Sequence, residues 1–214
     1  MVRGDTMSNL VINMKDVKFG GNTLDVGNDN YGVIYNILKG EEDEISVDYY
    51  SEDLSNQYKN FYDNGVTFFS LSQLATKGER DMVLKEIWQN LKVGGNLYIW
   101  DREKRVKEII KDNINVLMPD GTTKEFKFSN INPLAEFGFF NFQKTLEKYF
   151  EIQEGRICDK IIYIKAKKRG IINNEDTING DKFKVHPQQS SSEIFKSIHK
   201  GFKFSRKDKR VYDK

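Results

Sequence analysis

Thr23-Leu24-Asp25-Val26-Gly27-Asn28-Asp29-Asn30-Tyr31-Gly32 is followed, about twenty residues on, by Ile45-Ser46-Val47-Asp48. A short apolar run leads into an acid and a glycine. Val33, Ile34, Ile37 and Leu38 then recur at helical spacing. A second short apolar run ends in another acid. This is the order of parts in a nucleoside-binding β-α-β unit. The glycine lets a ligand come close to the backbone, and the second acid can hold ribose hydroxyls. The Gly27-to-Gly32 spacing alone is common, so the reading depends on what surrounds it.

Working outward, residues 66–71 read as a buried strand. Residues 78–91 read as a helix with Met82, Val83, Ile87 and Leu91 on one face. Lys92-Val93-Gly94-Gly95 reads as a turn, where glycine accepts a left-handed cap. Residues 96–100 are the next strand. Residues 102–112 alternate charge with Val106, Ile109 and Ile110 and read as a surface helix. Pro119-Asp120-Gly121 between two apolar runs is a hairpin signal: proline presets the turn and glycine supplies positive φ. An aromatic-rich stretch, 134–149, ends in a helix. Residues 150–156 and 160–165 read as two closing strands. Residues 1–21 hold a short strand or a lead-in to the sheet.

Asp25-Val26-Gly27-Asn28-Asp29-Asn30-Tyr31 resembles the Asp-x-Gly-x-Gly-x-Gly loop of class I S-adenosylmethionine-dependent methyltransferases. Asp48 is similar to the acid that ends that family's second strand, and residues 66–71 to its fourth strand. Residues 86–101, with Leu91-Lys92-Val93-Gly94-Gly95 inside them, resemble its helix, turn and fifth strand, the most specific part of the match. The resemblance covers roughly residues 20–168. It implies an α/β, Rossmann-like, mostly parallel sheet with an antiparallel final strand and helices on both faces. One βα unit is shortened, because only about eighteen residues separate Asp48 from Val66.

The resemblance also implies S-adenosylmethionine as cofactor and a role for each matching residue. Asp25 holds the loop and the methionine amino group, Gly27 lets the ligand approach, and Asp29 keeps the turn. Asp48 binds the ribose, and Phe69 and Ser70 touch cofactor or acceptor at a strand end. Asp25, Gly27, Asp29 and Asp48 are expected in one cleft. Each also has an ordinary structural reading: Asp25 as a cap of turn amides, Asp48 as a strand-end acid, Phe69 as core. Asp29 and Tyr31 stand where the family has glycine. Aspartate enters left-handed geometry more easily than most residues. Its charge repels a dinucleotide pyrophosphate but suits a sulfonium, which argues against NAD. Tyr31 covers the cofactor or fills its pocket. The adenine-contacting acid has only Asp53 and Asp63 as candidates.

Two functions stay open. One is S-adenosylmethionine-dependent transfer of a methyl group to a small-molecule acceptor. The other is a catalytically inactive methyltransferase fold used for binding or regulation. No catalytic residue stands out, but methyl transfer needs no dedicated base, since positioning supplies much of the effect. His186 and His199 lie in a basic tail, and no metal site is expected. Cys158 is the sole cysteine. It excludes an intrachain disulfide and reads as a small core residue.

The net charge of +2 argues against wholesale nucleic-acid binding. The charge is uneven, however: from Asp181 on there are ten Lys or Arg against four Asp or Glu. The organisation read from this is a methyltransferase-like domain (1–168), a polar linker (169–189), and a basic C-terminal helix and tail (190–214). The helix carries Ile194, Phe195, Ile198 and Phe202 on one face. The tail either docks on the negative body or offers a surface to nucleic acid, an acidic partner or an anionic membrane. No apolar run approaches the ~20 residues of a transmembrane helix, and no signal peptide is read at the start, so a cytoplasmic location is expected.

Overall fold

The computed structural model describes residues 8–27, 31–41, 59–170 and 203–206. Its main layer is a six-stranded sheet, built around three parallel strands: β2 (Thr23–Gly27), β3 (Tyr62–Phe68) and β4 (Leu91–Arg102). Beyond β4 the sheet turns antiparallel, through β8 (Ile161–Lys168) and then β7 (Phe150–Cys158). β9 (Lys203–Arg206) pairs antiparallel with β2 at the other side. The order is β7-β8-β4-β3-β2-β9. The α/β sheet with a parallel centre and an antiparallel closing hairpin is as expected.

Alternation along the strands divides the core in two. On one face Leu24, Val26, Leu97, Ile99, Ile162 and Ile164 pack under α2 (Lys77–Asn90) and α3 (Phe139–Leu146). On the other, Val66, Phe68 and Trp100 pack under α1 (Val33–Glu41), whose stripe Val33, Ile34, Ile37 and Leu38 is wholly buried. Next to α1 that face is covered by a second sheet: β1 (Ser8–Asn13), β5 (Ile110–Leu117) and β6 (Thr123–Asn130). β1 does not join the main sheet. It lies parallel to β5, and β5 and β6 form the hairpin across Pro119-Asp120-Gly121. Gly121 has φ +83, as that turn requires.

α2 starts where its cap dictates. The Glu79 amide donates to Thr76 Oγ1 (3.2 Å) and the Thr76 amide to Glu79 Oε2 (2.8 Å), a reciprocal pair worth about 1 kcal/mol. The expected turn at Lys92–Gly95 is absorbed into β4, with Gly94 at φ +77. Residues 103–109 form no helix. Arg102 and Lys104 of that charged stretch are buried, and their partners lie further along the chain. Cys158 is exposed on the edge strand β7 rather than in the core.

The expected strand at 45–49 and the shortened unit around it fall outside the described residues. The edge of β2 opposite β3 is paired with β9, so four residues read as part of a basic helix and tail are a strand. Most of the linker and of the helix, 171–202, also lies outside the described residues.

β3 comes close to α2 at Gly65, where a Cβ would stand 2.8 Å from Ile87 Cγ2. Gly65→Ala is expected to lower stability by ~1–3 kcal/mol in denaturant titration, the usual cost of overpacking. Ile87→Leu removes that methyl at constant volume and restores part of the loss. If Ile87→Leu restores nothing, the contact is not the cause.

Candidate functional site

β2, β3 and β4 end side by side, and the carboxyl ends of parallel strands are where such sheets bind ligands. Gly27 closes β2. A Cβ there would meet Ser70 Oγ at 2.2 Å, so the absence of a side chain is what lets the turn after β3 sit against it. Ser70 is buried, and its hydroxyl donates to the Phe68 carbonyl (2.9 Å). Asp25 lies two residues before Gly27 on the same side of β2 and is fully buried. Phe69 has φ +52, a left-handed backbone that a bulky residue adopts at a cost of ~1–2 kcal/mol. Its ring packs against Phe68, Phe126 and Phe128, so the side chain serves the core.

The structure therefore brings Asp25, Gly27, Phe69 and Ser70 to one end of the sheet. Asp29, Asp48 and Asp53 lie outside the described residues. Asp63 does not belong with the others. It sits at the amino end of β3, takes the Asn22 amide (2.9 Å) and is held by Lys92 (2.8 Å). Tyr31 is not open to a ligand on both faces, because its ring stacks on Phe126 with centroids 4.0 Å apart. Gly32 follows, and a Cβ there would meet Lys124 Nζ at 2.8 Å. The hairpin strand β6 thus leans on the end of the loop, as an insertion at the ligand-facing end would.

Sequence reasoning gave no role to the residues that fix this end of the sheet. After Ser70 a single 3₁₀ turn, Leu71–Gln73, leads to α2. The Ser72 amide donates to Asp101 Oδ2 (2.9 Å), and the Arg102 amide donates to Asp101 Oδ1 (2.7 Å). Arg80 of α2 donates to the carbonyls of Leu71 (3.0 Å) and Leu74 (2.6 Å). Asn130 of β6 donates to the Ser72 carbonyl (2.8 Å). Arg102 pairs with Asp112 of β5 at 2.7 Å, both nearly fully buried. The one signal in sequence was positional: Asp101 is an acid ending a strand, as Asp48 is read to be.

Burial dominates the electrostatics here. It pushes the Asp101 carboxyl up to about 6, against the pull of Ser72 and the nearby backbone amides. It also lowers the Arg80 guanidinium, with Asp101 opposing.

No family model and no curated protein matches the sequence. Solved structures do. A protein of Pyrococcus horikoshii OT3 is similar at 15% identity over 73% of this chain and 85% of that one, with a TM-score of 0.48. An S-adenosylmethionine-dependent methyltransferase of Methanosarcina mazei is similar at 19% identity over 52% of this chain and 61% of that one (TM-score 0.38). A third is the Burkholderia thailandensis 1,6-didemethyltoxoflavin N1-methyltransferase, solved with its acceptor and S-adenosylhomocysteine. It is 11% identical over 76% of this chain and 72% of that one (TM-score 0.44). All three likenesses are distant.

The raised Asp101 carboxyl has a consequence for stability. The native state keeps this proton to a higher pH than the unfolded chain, whose aspartates titrate near 3.8. Stability therefore falls as pH rises from about 4 to about 6, and the loss is constant above. Relative to Asp101→Asn, the wild type should lose about 2–2.5 kcal/mol of unfolding free energy between pH 4 and pH 7, at 1.36 kcal/mol per unit. A difference that does not change with pH would show that Asp101 titrates normally.

Proposed function

We propose that this protein is an S-adenosylmethionine-dependent methyltransferase acting on a small-molecule acceptor. The observation that carries the reading is the meeting of Gly27 with the Ser70 turn at the carboxyl ends of two adjacent parallel strands. Asp25 stands two residues earlier, in the order of the family's loop. The antiparallel β7–β8 hairpin that closes the sheet beyond β4 supports the same reading.

In this reading Gly27 and the Ser70 turn form the floor of the cofactor site. Asp25 fixes the loop, and Asp29 offers a carboxylate to a cationic methionine group or sulfonium. Asp48 takes the ribose hydroxyls. The cofactor supplies an already activated methyl group. The chain's own task is to hold the acceptor in line with it and keep water out. Asp101 and Arg80 act as positioning residues, because they hold the turn and touch no substrate.

A second reading, a fold that binds or regulates without methyl transfer, is favoured by one observation: β9 occupies the edge of β2 opposite β3. Calorimetry with S-adenosylmethionine and S-adenosylhomocysteine separates the two. Binding of both is expected, and Asp48→Ala should weaken it by ~1.5–3 kcal/mol, the range for a hydrogen bond to a charged group. No heat at millimolar ligand would leave the second reading. Unchanged affinity in Asp48→Ala would return Asp48 to a plain strand-end role.

A further inference from the structure

Among the described residues, the face of the main sheet that carries α1 is left uncovered where it runs onto β8 and β7. There a groove of about 680 Å³ lies between these strands and β1 with the loop after it. That volume is in the range of sites for single small molecules.

The groove has the partly buried rings of Tyr98 and Tyr163 on its floor, with the almost wholly buried Trp100 between them and Phe19 edge-on to Tyr98 at 5.3 Å. Tyr98 and Trp100 point the same way from β4, two residues apart, with rings 6.2 Å apart and nearly parallel at 10°. Trp100 faces its cross-strand partner Tyr163 at 4.9 Å. Cations flank the rings through the same pairing. Lys165, opposite Tyr98, holds its ammonium 5.6 Å from that ring. Arg156, opposite Tyr163, holds its guanidinium 4.7 Å from that ring. Lys18 stands on the β1 side, and Asp16 is the one acid of the lining. Among the described residues neither Lys18 nor Lys165 is in an ion pair, and Arg156 meets only Glu154, at 3.6 Å. Tyr163 is pushed up to about 12 by burial and Glu154, so its hydroxyl stays a neutral donor.

We infer that this groove binds one small molecule made of a flat aromatic ring and an anionic group, about the size of a nucleoside monophosphate. The partly exposed rings of Tyr98 and Tyr163 give a stacking floor, and the lining carries more positive than negative charge. A run of phosphates fits less well: Asp16 lines the groove, and Glu154 sits beside Arg156. The site is lateral to the cofactor reading: its floor lies on β4 and β8, and β3 stands between it and β2.

The test uses uridine monophosphate, which lacks adenine. Uridine and inorganic phosphate serve as the ring alone and the charge alone. Trp100 and Trp88 are the only tryptophans, and Trp88 packs on the opposite face. Their indole N–H signals, assigned through Trp88→Phe, report the groove and its control. Uridine monophosphate should shift the Trp100 signal and not that of Trp88, with a dissociation constant below about 1 mM. Uridine and phosphate should each bind at least about tenfold more weakly. Arg156→Glu with Lys165→Glu should weaken binding by at least about tenfold while the Trp88 signal stays in place, and the milder Gln pair should weaken it less. Cys158 lines the groove and is exposed, so bound nucleotide should also slow its alkylation. The inference is overturned if the Trp100 signal does not move, if uridine binds as well as its phosphate, or if both charge variants bind normally. It is also overturned if a ten-nucleotide single strand binds more than about tenfold more tightly than the monophosphate, which would make the groove a nucleic-acid surface.

Discussion

The buried carboxylate of Asp101 holds the carboxyl ends of the parallel strands together. It takes the Ser72 amide from the turn after β3 and the Arg102 amide of its own strand, which locks two parallel strand ends to each other. The same turn is gripped by Arg80 from α2 and by Asn130 from β6. One 3₁₀ turn is thereby tied to the sheet, to a helix and to the second sheet. A charge so deeply buried is costly on its own, and it persists because two amides and a nearby guanidinium answer it. Without it the turn that sets Ser70 against Gly27 would keep Arg80 and Asn130 but lose its tie to the end of β4.

Much of this was legible from sequence because local chemistry and the fold agree. The helical stripe around Val83 and Ile87 and the Pro119-Asp120-Gly121 turn each carry a local mechanism, and each sits where the spacing put it, whereas the Thr76–Glu79 cap that starts α2 was not read from the sequence. Val33, Ile34, Ile37 and Leu38 form the wholly buried stripe of α1. Gly27 was legible as a place that tolerates no side chain, but for an incomplete reason. A ligand was read into that space, and a hydroxyl of the same chain is already there.

What was not legible depends on partners far away in the chain. Arg102 and Lys104 look like a solvated helix face because charge alternates around them, yet both are buried. Arg102 reaches Asp112 across ten residues, a pairing that no local pattern announces. β1 resembles a lead-in to the sheet, but its register is set by β5, about a hundred residues later. Lys203–Arg206 follows an apolar stripe at helical spacing, and its place beside β2 comes from an open strand edge. Cys158 sits in an apolar run, but that run is an edge strand with much of its surface in water.

In the proposed function a nucleoside-bearing cofactor binds at the carboxyl ends of β2 and β3. Amide hydrogen exchange with and without S-adenosylhomocysteine tests it at the residues concerned. Added protection is expected at residues 25–33 and 68–74, and none on β7 or on the groove strand β8. Unchanged exchange at both stretches in the presence of saturating ligand, or protection confined to β7 and β8, would contradict it.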